Sequence, residues 1–348
     1  MNTPLVVSRN SSIELYRILA ILAVIIGHFN VWFVGGMPES FDFVNITVAH
    51  VGQPLIAAFS CICVNMFIII SGYFGLKLKM SSLSRICLML AFIYIPAYLL
   101  SFMCYGDFSL SKFIGHFFVV SRAGYFIQCY LMLMFLSPVL NSFVEKYGKR
   151  ILIWCLFFVF IEFWWGCIMT DTVGLADNLF INQGYSLVHF VLIYLLARCV
   201  RFYKDTILSV KKTWFLLFYF LSSITIFCMF VCGVKFAYNY SNPIVIVSSF
   251  FTFFPFMGCT YHNKIVNWIA KDTLAVYVIQ VTPPVLTFLM WIDTFLLERY
   301  SYGLYWFLCL GVIFVFFFFS VIYSKFCNLL INPIVSYIDE KFNFRFLE

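Results

Sequence analysis

The chain has 348 residues, of which 64% are apolar and only 11% charged, so it has too little polar surface to cover a soluble globule of this size. Its mean hydropathy of +0.98 and its continuously apolar stretches indicate membrane-spanning helices, because barrel strands would alternate apolar and polar residues. The net charge of +7 gives no reason to expect a nucleic-acid partner, since membrane topology and anionic lipid account for basic residues beside membrane helices.

Ten apolar blocks of about 20 residues follow one another along the chain, and that length crosses a hydrocarbon core of roughly 30 Å. The blocks are 14–34, 54–75, 84–104, 123–144, 150–168, 184–204, 213–233, 242–262, 272–292 and 302–324. With the N-terminus in the cytoplasm, the inner segments hold 18 of the 22 Lys and Arg residues, as the positive-inside rule requires. The sequence therefore predicts an all-α integral membrane protein with about ten transmembrane helices and both termini cytoplasmic.

A single membrane domain is predicted over 1–348, because no segment between the blocks is long enough to form a soluble domain. The first block is too long for a signal-peptide core and lacks a small-residue cleavage site, so we interpret it as a retained span. The last stretch, 331–348, interleaves apolar residues with charges, which predicts an interfacial helix on the cytoplasmic side. The cysteines lie mostly inside apolar blocks without metal-ligand or disulfide spacing, so we expect no metal site.

Polar side chains inside the apolar blocks are candidate functional residues, because an ionisable group in hydrocarbon costs roughly 2.5–3.5 kcal/mol on insertion scales. In chain order they are Glu14, Arg17, His28, Asn65, Ser71, Gln128, Glu162, His189 and Gln280. We expect Glu162 and His189 either to satisfy hydrogen bonds inside the bundle or to line a cavity. Asn65 and Ser71 are expected to hydrogen-bond between helices. The candidate supporting or cavity residues are therefore Glu14, Asn65, Ser71, Glu162 and His189.

The first block places three of these residues on one helix face. His28 follows Arg17 by eleven residues, which at about 100° each is about 20° past three full turns, so the two side chains share a face about 16 Å apart along the axis. Glu14 falls close to the same face and is spaced to pair with Arg17 at i, i+3. Such a face would point into the bundle, with a cation at the cytoplasmic end and an imidazole well inside.

Both main residues of that face have a structural and a functional interpretation. His28 is either a neutral imidazole hydrogen-bonded to a neighbouring group or a general base, a role that its ordinary pKa of about 6.5 suits near neutral pH. Arg17 is either an interfacial charge whose stem lies along apolar surface or a phosphate clamp, which the fork of a guanidinium serves well. The residues alone leave these alternatives open.

The arrangement Arg17-x10-His28 within IELYRILAILAVIIGH resembles the signature at the start of the membrane-bound acyltransferase family 3, the bacterial envelope O-acyltransferases. Later segments resemble the family's patterns in the same order. They are VNMFIIISGYFG (64–75), GYFIQCYLMLMFLSPVLNSF (124–143), GYSLVHFVLIYLLARCVR (184–201) and IVNWIAKDTLAVYVIQ (265–280). One departure is Gln280, where the family's pattern often ends in His, so a second-histidine role is lost at that position.

This resemblance implies transfer of an acyl group, usually acetyl, from cytoplasmic acyl-CoA to a hydroxyl group of a cell-envelope glycan or its lipid-linked precursor. His28 matches the family's catalytic histidine and Arg17 the arginine of the same motif. Acetyl-CoA or another acyl-CoA would be the donor substrate, with no bound cofactor, and the other partners would be the glycan and membrane lipid. The protein would be a multi-pass protein of the bacterial cytoplasmic (inner) membrane. Basic residues at the inner ends of the first three spans would receive the CoA phosphates: Arg17, Lys77, Lys79 and Arg85.

Two routes and two other functions stay open at this point. His28 would either act as general base on the acceptor hydroxyl or first accept the acyl group itself. One rival is a transporter or flippase of lipid-linked sugars, which would show internal repeats, and the sequence shows none. The other is a polysaccharide polymerase or glycosyltransferase using Glu162 or the outer-loop acids Asp171 and Asp177, which would need a large outer loop, whereas the outer loops are short.

Overall fold

The computed structural model of the protein describes residues 10–34, 36–106, 109–117, 124–169 and 182–341. In these ranges the regular structure is helical, with no strand. The α-helices are α1 (Ser11–Gly27), α2 (Val48–Ser60), α3 (Cys63–Phe74), α4 (Met80–Tyr105), α5 (Leu110–Phe117), α6 (Tyr125–Tyr147), α7 (Ile151–Phe163), α8 (Leu187–Val200), α9 (Lys204–Leu208), α10 (Lys212–Val231), α11 (Pro243–Met257), α12 (Lys264–Ala270), α13 (Thr273–Gln280), α14 (Pro283–Arg299) and α15 (Tyr302–Lys341).

Six helical stretches in the described part of the chain are long and apolar enough to cross a membrane. They are Ser11–Trp32, Val48–Phe74, Met80–Met103, Tyr125–Met169, Lys212–Val231 and Tyr302–Lys341. The stretch Tyr125–Met169 contains two of the predicted blocks, and Gly148, with φ +56°, separates them as the C-cap of α6. The protein is thus an all-helical, multi-pass membrane protein.

The ninth predicted block, 272–292, is not one straight helix. Lys264–Gln280 and Pro283–Arg299 meet at a bend of 82°, and they count as a seventh span only if the bent pair is taken together. Pro283 and Pro284 explain the break, because proline has no N–H to donate and its ring clashes with the preceding turn of a continuing helix. A hydropathy pattern does not detect such a break, since both sides of it are apolar.

The C-terminal part of the chain continues the last helix. Residues 331–341 extend α15 without interruption, so this helix has 40 residues, and 342–348 lie outside the described residues. An interfacial position for this end of the protein stays a prediction.

Helix α1 lies at the centre of the bundle, where it contacts α2, α3, α11, α12, α13 and α15. Its side chains Tyr16, Ile21 and Ile25 are fully buried. The Tyr16 hydroxyl lies 3.0 Å from Oγ1 of Thr252 on α11, so even this buried phenol has a polar partner. Because α1 is surrounded, its polar residues face protein rather than lipid.

Gly72, in the ISGYFG segment, sets the close approach of α3 to α8. A β-carbon built on Gly72 would lie 2.6 Å from the Tyr194 carbonyl oxygen and 2.7 Å from Cβ of Ala197. Three residues later Gly75 has φ +81° beside the Arg198 guanidinium, and Leu76 N–H then donates to the Tyr194 hydroxyl at 3.0 Å. The glycines of this motif therefore serve helix packing and the tight exit from α3.

We expect Gly72→Ala to lower the free energy of unfolding by about 1–3 kcal/mol, because the added methyl group overpacks the α3–α8 contact. Thermal unfolding of the purified protein in detergent measures the effect. Gly311→Ala is the matched control, since Gly311 lies within α15 and no atom lies within 4 Å of the β-carbon built on it. Equal unfolding temperatures for the two variants would contradict this account of the motif.

Candidate functional site

His28 lies where α1 changes from an α-helix to a π-helical turn, His28–Trp32. The carbonyl group of His28 accepts from the Phe33 N–H at 2.8 Å, an i to i+5 bond that widens the helix at this point. The His28 ring packs edge-on against Trp32, with ring centroids 4.7 Å apart. π-Turns are rare in proteins, and those that occur often lie at functional sites. The sequence pattern did not predict this one.

A cavity of about 1300 Å³ opens beside His28. Arg17 and His28 both line it, so the shared face predicted from their spacing is present and points into the bundle. Ser60, Cys61 and Cys63 also line it, where the chain breaks between α2 and α3. The cavity therefore runs along α1 from the guanidinium to the imidazole and beyond it.

At one end of this cavity, Arg17 forms the predicted ion pair with Glu14, and the Arg17 Nη1 to Glu14 Oε2 distance is 2.9 Å. The Glu14 side chain is almost fully buried, whereas that of Arg17 is 28% exposed. Lys271, at the end of α12, lines the same cavity. Two cations and one buried carboxylate thus give this end a positive balance.

A second cavity of about 710 Å³ adjoins the first, and Arg17 and Lys271 line both, so these two side chains stand where the cavities meet. Arg85 and Lys325 add two more cations to its wall. Trp268 contributes an aromatic face, and the Lys325 ammonium lies 4.5 Å from the centre of that ring. Clustered cations beside an indole suit an anionic ligand that also carries an aromatic ring.

Arg85 and Lys325, like Arg17, have partners in the protein. Nη1 of Arg85 donates to Oδ1 of Asn332 at 2.7 Å, and Lys325 pairs with the buried carboxylate of Asp272. Arg85 was among the sequence candidates, whereas Lys271 and Lys325 were counted there only as topological charges. Their common signal in the sequence is a position beside the predicted inner end of an apolar block, which becomes informative only once the helices are assembled.

Lys77 and Lys79 lie in the segment between α3 and α4, exposed and outside the walls of these two cavities. The structure thus brings Arg17 and Arg85 together with Lys271 but leaves this pair of lysines apart from them. A role for Lys77 and Lys79 in acyl-CoA binding stays a prediction.

Three of the polar candidates from separate helices form one buried network. Nδ1 of His189 on α8 lies 3.0 Å from both carboxylate oxygens of Glu162 on α7, and Nε2 lies 2.8 Å from Oδ1 of Asn65 on α3. All three side chains are at most 2% exposed. The network joins three helices immediately behind the cavity wall, to which Val64, next to Asn65, belongs.

Replacing Glu162 with Leu should lower the free energy of unfolding by about 1–3 kcal/mol, because it leaves the buried Nδ1 of His189 without its acceptor. Thermal unfolding in detergent is the measurement. Glu298→Leu, at an exposed carboxylate on α14, is the control and should change stability little. If Glu162→Leu proves as stable as the control, the network is not what joins these helices.

Two further polar candidates, Ser71 and Gln280, lie at or near the cavity. The Ser71 hydroxyl lines the cavity, donates to the Phe67 carbonyl group at 3.1 Å and lies 3.3 Å from the Tyr130 hydroxyl. Gln280, fully buried at the end of α13, lies beside the His28 ring. Nδ1 of His28 and both amide atoms of Gln280 are buried and make no hydrogen bond within the described part of the protein. The sequence comparison singled out Gln280 only for a missing histidine, and the structure places it beside His28.

Asp293 is a buried carboxylate that sequence reasoning missed. It lies fully buried on α14, one residue past the ninth predicted block, and its Oδ1 accepts from the Tyr305 hydroxyl at 2.7 Å. That hydroxyl also lies 3.5 Å from the carbonyl oxygen of Phe29, the residue after His28. Asp171 and Asp177, considered above for a polymerase, lie outside the described residues.

Comparison with known proteins identifies one family over most of the chain. A family model described as an acyltransferase domain, of the third acyltransferase family, matches residues 10–337. The match covers α1 through nearly all of α15 and so includes both cavities. Neither a curated protein nor a solved structure matches the chain.

Proposed function

The chain belongs to the acyltransferase family 3, and we propose that it transfers an acyl group, acetyl in the first instance, from cytoplasmic acyl-CoA to a hydroxyl group of a cell-envelope glycan or lipid-linked sugar. Family membership supports acyl transfer in a membrane, and it favours this reaction over a flippase or a polymerase. The donor, the acceptor and the role of His28 are parts of the proposal.

The observation that carries the proposal is the continuous cavity with cations at one end and His28 further in. CoA bears several phosphate charges on its nucleotide and a thioester at the end of a long pantetheine arm. Arg17, Lys271 and Arg85 suit the phosphates, and the Trp268 face suits the adenine ring. The rise of about 16 Å from Arg17 to His28 matches the reach of an extended arm. His28 would then meet the thioester inside the bundle.

In the direct route, the His28 imidazole removes the proton from the acceptor hydroxyl as its oxygen attacks the thioester carbonyl carbon. The carbon–sulfur bond breaks, the new carbon–oxygen bond forms the ester, and the imidazolium proton goes to the departing CoA sulfur. In the alternative route, an imidazole nitrogen attacks the thioester carbon first, the carbon–sulfur bond breaks, and the departing CoA sulfur takes the imidazole N–H proton. The acceptor hydroxyl then attacks the acyl-imidazole, which forms the ester and returns the hydroxyl proton to the ring. Gln280, beside the ring, would hold the imidazole in one orientation in either route.

The membrane arrangement that serves this reaction is ten spans with both termini in the cytoplasm, in the bacterial inner membrane. The excess of basic residues in the inner segments supports it. In that orientation the cationic end of the cavity faces the cytoplasm, where acyl-CoA is made, and the far end faces the envelope.

The test is to supply the purified protein in lipid nanodiscs with labelled acetyl-CoA and an envelope-glycan fraction, and to follow label in the glycan. We expect enzyme-dependent ester formation, with one free CoA thiol released for each acetyl group transferred. If the protein binds acetyl-CoA but no label appears on a hydroxyl acceptor, the proposed reaction is rejected.

A further inference from the structure

Beyond His28 the cavity wall changes from basic to aromatic. Four tyrosines that line it form what we call the tyrosine arm: Tyr125, Tyr185, Tyr238 and Tyr240. The charged residues among the described lining residues are Arg17 and Lys271, both at the other end, and the described lining includes no acidic residue. The arm is therefore a polar but uncharged part of the cavity.

The arm lies on the far side of His28 from Arg17. The Tyr238 hydroxyl donates to the carbonyl group of Pro54 at 3.1 Å, and the carbonyl group of the preceding Gln53 accepts from the Asn30 amide at 2.8 Å. Asn30 belongs to the π-turn that begins at His28. A ligand in the arm therefore approaches the imidazole from the side opposite to the cations.

The tyrosines are held in a fixed arrangement. The Tyr185 ring packs edge-on against both Tyr125 and Tyr240, with centroids 4.9 Å apart in each case. Gly184 lies so close to Tyr240 that a β-carbon on it would be 2.5 Å from Cβ of Tyr240. Gln183 lines the cavity with φ +56°, and no other non-glycine residue in the described ranges has a positive φ. Strained backbone of this kind is found at ligand sites, where the surrounding structure maintains it.

The chemistry of the arm matches a neutral sugar ring. A pyranose presents apolar C–H faces that pack on aromatic rings and hydroxyl edges that exchange hydrogen bonds with phenols and amides. Tyrosine hydroxyls and the Gln183 amide supply both donors and acceptors, as specific small-molecule sites require. A uronic acid or a phosphorylated sugar would bring an anion to a wall without a cation, and an unpaired charge out of water is costly.

We propose that the tyrosine arm is the acceptor subsite and that it selects neutral sugars over acidic ones. This inference rests on the proposed acyl transfer, because it places the acceptor of that reaction in the tyrosine arm of the same cavity. It goes further in naming the acceptor class and the residues that choose it.

The test compares two probes that differ only at C6, methyl glucopyranoside and methyl glucuronopyranoside, at neutral pH with the full-length protein in nanodiscs. Direct binding, followed by ligand-observed NMR, is measured alongside acetyl transfer from labelled acetyl-CoA. We expect the neutral glycoside to bind about tenfold more tightly or better, since the glucuronide carboxylate finds no partner in the arm.

A substitution that adds a cation tests whether the tyrosine arm determines the preference between the neutral and the acidic glycoside. Tyr185→Lys places a cation in the arm and should reduce the preference for the neutral glycoside by about tenfold through tighter glucuronide binding. Tyr300→Lys is the matched control, because Tyr300 is also 41% exposed but lies at the end of α14, outside the walls of both cavities. It should leave the preference unchanged.

The two readouts separate this inference from the proposed reaction. Equal binding of both glycosides, no binding of the neutral one, or the same shift in Tyr300→Lys as in Tyr185→Lys overturns the neutral-sugar arm, even if transfer occurs. A clear preference for the neutral glycoside without any transfer supports the arm and counts against the acyltransferase reaction.

Discussion

His28→Ala should reduce acyl transfer by about 10²- to 10⁴-fold, the range that a positioned acid or base contributes. Both proposed routes pass through the imidazole, and a methyl group can neither take the proton of the acceptor hydroxyl nor hold the acyl group. The measurement is the rate of labelled acetyl transfer at saturating acetyl-CoA. Acetyl-CoA affinity should change little, because the cations that suit the phosphates lie at the other end of the cavity.

His262→Ala is the control for the loss of a histidine, since His262 is exposed and lies outside the walls of both cavities. Rapid quenching of the wild-type reaction separates the two routes: label on the protein before any product forms indicates an acyl-histidine, and product without labelled protein indicates direct transfer. Transfer at the wild-type rate in His28→Ala would exclude His28 from the chemistry.

That the apolar blocks form helices was predictable, because a hydrophobic stretch of the chain determines this locally. Each of the ten apolar blocks overlaps a described helix, since a run of apolar side chains is sufficient to form one in lipid. The break at Pro283 was visible in the sequence as a Pro-Pro pair, yet a hydropathy pattern passes over it. The shared face of Arg17 and His28 also followed from local geometry, because both lie on a single helix.

What could not be predicted depends on how helices meet. Asn65 lies 124 positions from His189, and nothing in either segment names the other as its partner. Lys271 and Lys325 belong to different segments between the apolar blocks, and their shared cavity exists only in the assembled bundle. The π-turn after His28 likewise reflects packing around α1 rather than a residue pattern. Sequence thus identifies which residues are chemically unusual, and tertiary structure decides which of them act together.

Arg17→Ala should weaken acetyl-CoA binding by about tenfold to a hundredfold, because a charge-assisted hydrogen bond contributes about 1.5–3 kcal/mol. Arg17 lies where the two cavities meet. If the CoA nucleotide is held in the second cavity and its pantetheine chain extends into the first, the phosphates lie beside Arg17. The measurement is the dissociation constant of labelled acetyl-CoA in nanodiscs at two ionic strengths. Salt should weaken binding less in Arg17→Ala than in the wild type, because one screened interaction is gone.

Three controls isolate the phosphate interaction. S-acetyl-pantetheine has the thioester but no phosphate, so its binding should be insensitive to Arg17→Ala. Glu14→Gln keeps the guanidinium and removes its ion-pair partner, so it should not reproduce the loss, which separates the effect of the guanidinium from that of the ion pair. Lys204→Ala removes an exposed cation away from both cavities and should leave affinity within about twofold of the wild type. If Arg17→Ala weakens acetyl-pantetheine as much as acetyl-CoA, Arg17 supports the cavity shape rather than the phosphates, and the donor has to be held elsewhere.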